Sequence, residues 1–134
     1  MSSHFLEPLL ESDPAGQQLL NERTGEVVAS GIELAADSKS RNRGLLGRSG
    51  LAPGTVLIIA PCNAIHTFFM RFTIDLVFAD QNGRVKKVYR GVRPWRIRVS
   101  FGAFAALEFC AGSVDLVHLV AGDRLILGQK LPLK

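Results

Sequence analysis

Cysteine, tryptophan, tyrosine and methionine are all scarce: two Cys, one Trp, one Tyr and two Met in 134 residues. Two cysteines cannot staple a disulfide-dense miniature fold. Cys62 and Cys110 are also too far apart for a tight C-x2-C zinc spacing. They read as two small buried apolar side chains, with a metal pair including His66, a reactive thiol and a disulfide as alternatives. A disulfide there would close a loop of roughly fifty residues and stabilise the fold by about 4 kcal/mol. Long apolar runs are missing as well. Val56 to Ala60 and Phe101 to Leu107 are the longest, strand-sized and far short of the ~20 residues of a membrane helix. Met1 to His4 contain no Lys or Arg, and Glu7, Glu11 and Asp13 interrupt the apolar pairs that follow, which is not a secretory leader. The expected location is the cytoplasm. There is no internal repeat, no low-complexity tract, no Gly-rich phosphate loop and no usefully spaced carboxylate pair. Beyond scattered His4, His66 and His118 there is no metal set, so neither a cofactor nor a metal is expected.

What is present suits one globular domain. A chain of this length buries roughly 68–70% of its unfolded surface. Its 47% apolar and 21% charged residues exclude disordered and fibrous classes. The formal charge of +4 is unevenly placed: five basic and seven acidic residues precede Phe68, and eleven basic and five acidic follow from it.

Residues 1–16 read as an N-terminal adapter, because Asp13-Pro14 and Gly16 end any order begun by Phe5 to Leu10. Residues 17–134 form a single β-rich domain. Its apolar runs, cut by Gly, Pro, Asn and Asp, place strands over Glu26–Leu34, Thr55–Ala60, Ile65–Met70, Ile74–Ala79, Arg84–Val88, Ala105–Phe109 and Arg124–Leu127. Thr24-Gly25 is turn chemistry, and Asp80-Gln81-Asn82-Gly83 is a hairpin signal. Strands about ten residues apart indicate a mainly β sandwich or barrel-like domain with one or two short helices. Asp37 can cap a helix over Ser38–Leu46, with Gly47 as its stop. Gly112–Val120 reads as a second short helix or as another strand.

The blocks Arg41-x-Arg43-Gly44-Leu45-Leu46-Gly47-Arg48, His66-Thr67-Phe68-Phe69-Met70-Arg71-Phe72-Thr73-Ile74-Asp75-Leu76-Val77-Phe78-Ala79-Asp80, Gly83-Arg84-Val85, Pro94-Trp95-Arg96, Leu107-Glu108-Phe109-Cys110-Ala111-Gly112 and Gly122-Asp123 together resemble the bacterial and archaeal domain-of-unknown-function family 192. Their order and spacing from about Val27 to Leu127 carry the resemblance. It implies a β-sandwich-like or barrel-like domain with one short helix at the Arg-Gly-Leu block, and it implies no known activity. Many members carry a secretion signal, which this chain does not show. Thr73, Leu46 and Cys110 stand where the family usually has Pro, Met and Pro, so Cys110 inherits no role from it.

Three groups of residues could carry chemistry. In an extended Cys62–Met70 segment, His66 shares an alternation with Cys62, Phe68 and Met70. With Arg71 and Asp75 it could line a polar pocket, or act as a base oriented by Asp75. No nucleophile among Ser100, Thr67 and Cys62 sits in an activation motif. The alternative is structural: Arg71 pairs with Asp75 and His66 bonds the backbone. Trp95, between Arg93 and Arg96, is either an exposed recognition surface or a plug in the sandwich. Glu108 in its apolar run needs a counter-charge, Arg71 or Arg96, and Asp123 after Gly122 reads as a turn. The third group is a basic patch of Arg84, Lys86, Lys87, Arg90, Arg93, Arg96 and Arg98, seven cations without an acid. Turns at Gly91 and Pro94 break it, and +4 is slight for a nucleic-acid binder, so a small anion or an acidic surface fits better.

The first reading is therefore a small non-enzymatic binding or accessory module. Its polar pocket near His66, Arg71, Asp75, Trp95, Arg96 and Glu108 would take a small anionic or sugar-like ligand or a protein partner. The alternatives are an enzyme using the His66, Arg71 and Asp75 cluster, and a nucleic-acid or acidic-surface binder using Arg84–Arg98.

Overall fold

A computed structural model describes residues 3–130. In chain order the elements are α1 (Glu7–Glu11), a 3-10 turn (Pro14–Gly16), β1 (Gln17–Asn21), β2 (Val27–Ala29), β3 (Gly31–Ala35), α2 (Ser38–Arg43), β4 (Thr55–Ile59), β5 (Ala64–His66), β6 (Ile74–Ala79), β7 (Val85–Val92), β8 (Ile97–Val99), β9 (Ala105–Cys110), α3 (Ser113–Leu116) and β10 (Leu125–Gln129). A five-stranded sheet ordered β3-β4-β9-β6-β7 forms the centre, flanked by a three-stranded sheet β10-β1-β2 and a two-stranded ribbon β5-β8. Among the described residues only β3 and β4 pair in parallel. Among the described residues no sheet closes on itself, so the architecture is a compact, mainly β domain of several sheets and not a closed barrel.

Strands β6 and β9 are apolar except for Asp75 and Glu108, and the cause is simple. Both strands lie inside the sheet with both faces covered, which removes the usual polar alternation. Side-chain parity then sorts residues into two cores. Val56, Ile58, Val77, Leu107 and Phe109 pack with Leu19, Val28, Leu125, Val114 and Leu119. Leu57, Ile59, Ile74, Leu76, Phe78 and Ala106 pack on the other face with Leu45, Leu51 and Met70. Complete burial of a Phe such as Phe78 contributes about 2–3 kcal/mol.

Residues 1–16 read in the sequence as an N-terminal adapter segment. The described part is docked: Phe5 N–H donates to Gln81 O at 2.8 Å, and Leu6 and Leu9 are buried in the first core. The Glu26–Leu34 run is not one strand but two. Its halves, β2 and β3, join different sheets across Ser30. Helix α2 starts where Asp37 predicts, with Asp37 Oδ1 accepting from Ser40 N–H at 2.8 Å, but it stops at Gly44 (φ +48°) rather than Gly47. The hairpin signal is correct. Asp80 Oδ1 accepts from the Asn82 and Arg84 amides, and Gly83 sits at φ +83° between β6 and β7.

The expected Ile65–Met70 strand ends at His66. Thr67 and Phe68 lead into a turn in which Phe69 has φ +66°, and Met70 N–H returns to Thr67 O at 3.2 Å. The extended alternation predicted for Cys62–Met70 therefore does not persist beyond β5.

Candidate functional site

An open cleft of about 660 Å³ lies between the end of α2, the edge of β4 and the β5 segment. Its lining includes Arg41, Asn42, Arg43, Gly44, Cys62, Asn63, His66 and, at its base, Glu108. Glu108 projects from the middle of β9 on the parity of Ala106, opposite Ile58's layer and toward the second core. It is buried, and its Oε1 is the one buried side-chain polar atom without a hydrogen-bond partner among the described residues. Neither expected counter-charge reaches it: Arg71 is exposed on the 67–73 turn, and the Arg96 guanidinium folds back onto Pro94 O and Trp95 O. The cation that influences Glu108 is Arg48, but Arg48 is held bidentately by Glu33 at 2.8 and 3.0 Å. Burial pushes the Glu108 carboxyl up to about 7, with Arg48 only partly opposing.

The cleft's rim is cationic. Among the described residues neither Arg41 nor Arg43 enters an ion pair, and the Arg41 guanidinium donates a hydrogen bond to Ser38 Oγ at 3.3 Å. Gly44 forms part of the wall beside the carboxyl. A Cβ there would lie 3.8 Å from Glu108 Oε1, and its positive φ requires glycine. The Arg-x-Arg-Gly spacing was visible in the sequence as a block, yet only the fold puts it beside Glu108.

Asp75 belongs elsewhere. It pairs with Phe109 across β6 and β9, whereas Leu76 pairs with Glu108, so the two carboxylates face opposite layers. Asp75 accepts from three backbone amides, Gly91 (3.0 Å), Gly112 (3.0 Å) and Val114 (3.1 Å). It joins β7 to the start of α3 and neither orients His66 nor pairs with Arg71. The proposed His66, Arg71 and Asp75 cluster is not assembled. His66 stacks on Phe68 instead, with centroids 5.0 Å apart.

Trp95 is exposed rather than a plug, at φ +67°, and contacts Phe68 and Phe69 outside the cleft. Its loop is secured by a residue not singled out as structural, Thr67. The Thr67 hydroxyl donates to Arg93 O at 2.7 Å and accepts from Arg96 N–H at 2.9 Å. The seven-cation run is divided by its strand geometry. Arg84 binds Gly122 O, Arg90 pairs with Asp115 at 2.6 Å, and Lys87 and Arg98 lie over the Tyr89 ring. Asp123 is more than a turn residue: it is buried against Arg23 and Asn21, and the Arg23 hydrogen bond holds its carboxyl down to about 2. Cys62 and Cys110 are unpaired and half-buried. The Cys62 thiol donates to Ala64 O, and burial raises its pKa.

Residues 19–127 match the sequence profile of domain-of-unknown-function family 192, described as "Uncharacterized ACR, COG1430". The chain belongs to this family. A UPF0127 protein of Thermococcus sibiricus is 32% identical over 112 residues, covering 80% of this chain and 72% of that protein. Two solved structures share the fold. A "putative transcription regulator" from Sinorhizobium meliloti 1021 has a TM-score of 0.71 at 23% identity, over 81% of this chain and 89% of its own. A protein of unknown function from Novosphingobium aromaticivorans has a TM-score of 0.70 at 20% identity, over 81% of each chain. Among the described residues, no helix of this family member is long and apolar enough to cross a membrane.

Proposed function

We propose that the chain is a small binding module whose α2–β5 cleft takes a compact ligand with both an anionic group and hydroxyl groups, such as a sugar acid or a sugar phosphate. The observation that carries the reading is the unpartnered Glu108 Oε1 at the base of an open cleft. A buried polar atom without a partner costs free energy, and a ligand hydroxyl donating to it would remove that cost. Arg41 and Arg43 at the rim supply charge for the anionic end. His66 and Asn63 offer further polar contacts along the wall.

The test is a melting-temperature series with the full chain, sugar acids, sugar phosphates and their uncharged parent sugars. A ligand at one hundred times its Kd should add about 2.7 kcal/mol of stability. The charged members should raise Tm, and Arg41→Ala with Arg43→Ala should abolish the rise. Glu108→Gln should weaken it, since its amide retains only one acceptor oxygen. If the charged compounds raise Tm equally in the Arg variant, or no member raises Tm at millimolar concentration, the reading fails.

A further inference from the structure

Strand β8 of the β5–β8 ribbon is turned inside out relative to ordinary sheet patterning. In β8 the apolar Ile97 and Val99 are exposed while Arg98 faces inward over the Tyr89 ring at 5.4 Å. In β5 the pattern is ordinary, with Ile65 inward and Ala64 and His66 outward. The register pairs Ala64 with Val99 and His66 with Ile97, so these residues share one outer face. The outward set continues past both ends of β8: Trp95 is 56% exposed, Ile97 57% and Phe101 88%. Phe69, 72% exposed, meets Trp95 edge-on at 4.6 Å. Both Phe69 and Trp95 hold left-handed backbone angles, which bulky residues rarely adopt. An apolar set this continuous on a monomer's surface marks an interaction site.

We propose that this face is a peripheral docking surface for an anionic lipid bilayer. Three observations select that occupant. The apolar side chains stand out from a strand face and two turns, and Phe69, Trp95, Ile97, Val99 and Phe101 line neither the Glu108 cleft nor the smaller cavity beside His4 and Phe104. A bilayer needs no matching concavity, whereas a folded partner must supply one. Trp and Phe beside Arg suit the headgroup region, where amphipathic rings and cations both find partners. The exposed charges flanking the face are also of one sign: Arg93 and Arg96 adjoin Trp95, and Lys86 ends beside Gly102, next to Phe101. Arg84 to Arg98 contains no acid. A second copy packed face to face would set these cations against their equivalents, while anionic headgroups would neutralise them. The surface is built from β8 and its two flanking turns; Ala64 and His66 of β5, on the same ribbon face, border the Glu108 cleft and are not part of that surface.

Trp95 is the only tryptophan, so its emission reports this face alone. The experiment mixes the full chain with vesicles of phosphatidylglycerol and phosphatidylcholine, or of phosphatidylcholine alone, and follows sedimentation, Trp emission and quenching by brominated lipid. Binding to the anionic vesicles should blue-shift and quench Trp95 and should weaken as salt rises. Ile97→Ser with Phe101→Ser, both at exposed positions, should keep the wild-type melting temperature and lose at least about tenfold in vesicle affinity. Arg93→Ala with Arg96→Ala should lose selectivity for anionic vesicles, and Glu108→Gln should bind them like wild type. The proposal is overturned by unchanged Trp emission with anionic vesicles or by equal binding to phosphatidylcholine alone. It is also overturned by a blue shift that grows with protein concentration without lipid, which identifies self-association. A shift with polyglutamate but not with vesicles identifies an acidic protein partner and overturns it too.

Discussion

Asp75 and Glu108 sit one register step apart on neighbouring strands and project to opposite faces of the central sheet. One accepts three backbone N–H groups, and the other leaves an oxygen with no partner at all. Both are buried. The same residue class, at the same depth, thus serves structure on one face and is left open toward a cleft on the other.

Asp75 should be a stability residue. Asp75→Ala removes three hydrogen bonds to a charged acceptor and leaves the Gly91, Gly112 and Val114 amides short of a partner. The expected loss is about 3–5 kcal/mol in urea denaturation. Amide exchange at Gly112 and Val114 should accelerate, because they lie at the start of α3. Asp75→Asn, which keeps one acceptor oxygen, should fall between. A loss below about 1 kcal/mol would show that water replaces the carboxylate without cost.

Thr67 should control the Trp95 loop. Thr67→Val keeps the shape but removes the hydroxyl that joins Arg93 O and Arg96 N–H. The expected cost is about 1–2 kcal/mol, a fall in Tm of roughly 4–8 °C. A merely space-filling role would leave Thr67→Val close to wild type. Thr67→Ser, which restores the hydroxyl and loses a methyl, should recover the native Trp95 emission even where it does not recover all the stability.

The β-rich fold was legible where burial is two-sided, as in β6 and β9, and where turn chemistry is local, as at Asp80–Gly83 and the Asp37 cap. Strand β1 was hidden because Gln17 and Asn21 are polar. Their side chains are satisfied by Ser12 and Asp123, partners fixed only by tertiary structure. Strand β8 was hidden because its apolar residues face solvent and its Arg faces a ring. Of the candidate site, His66 and Glu108 do share a cleft. Asp75 does not, because the face a strand residue occupies depends on its register with neighbouring strands, and a shift of one residue reverses it. Arg71 was lost to the turn at Phe69, where a bulky residue adopts an angle that the sequence gives no reason to expect. Arg41 and Arg43 were visible as a motif, but their place beside Glu108 follows from the parallel crossover from β3 through α2 to β4.

Glu108 should make the protein less stable as pH rises toward neutrality. Its folded carboxyl is raised to about 7 from an ordinary 4.5, so between those values the folded state keeps a proton that the unfolded chain releases. The stability tied to this group is fully present below about pH 4.5, declines as pH rises and stops declining above about pH 7. The difference is about 3 kcal/mol over the window. Glu108→Gln has no proton to lose. It should therefore show no such decline, being close to wild type at pH 4.5 and more stable by up to about 3 kcal/mol at pH 8. Urea midpoints at both pH values, with unchanged m, measure this directly. If wild type and variant keep a constant gap from pH 4.5 to 8, the carboxyl is solvated in solution, and the unpartnered oxygen at the base of the cleft can no longer be the feature that recruits a ligand.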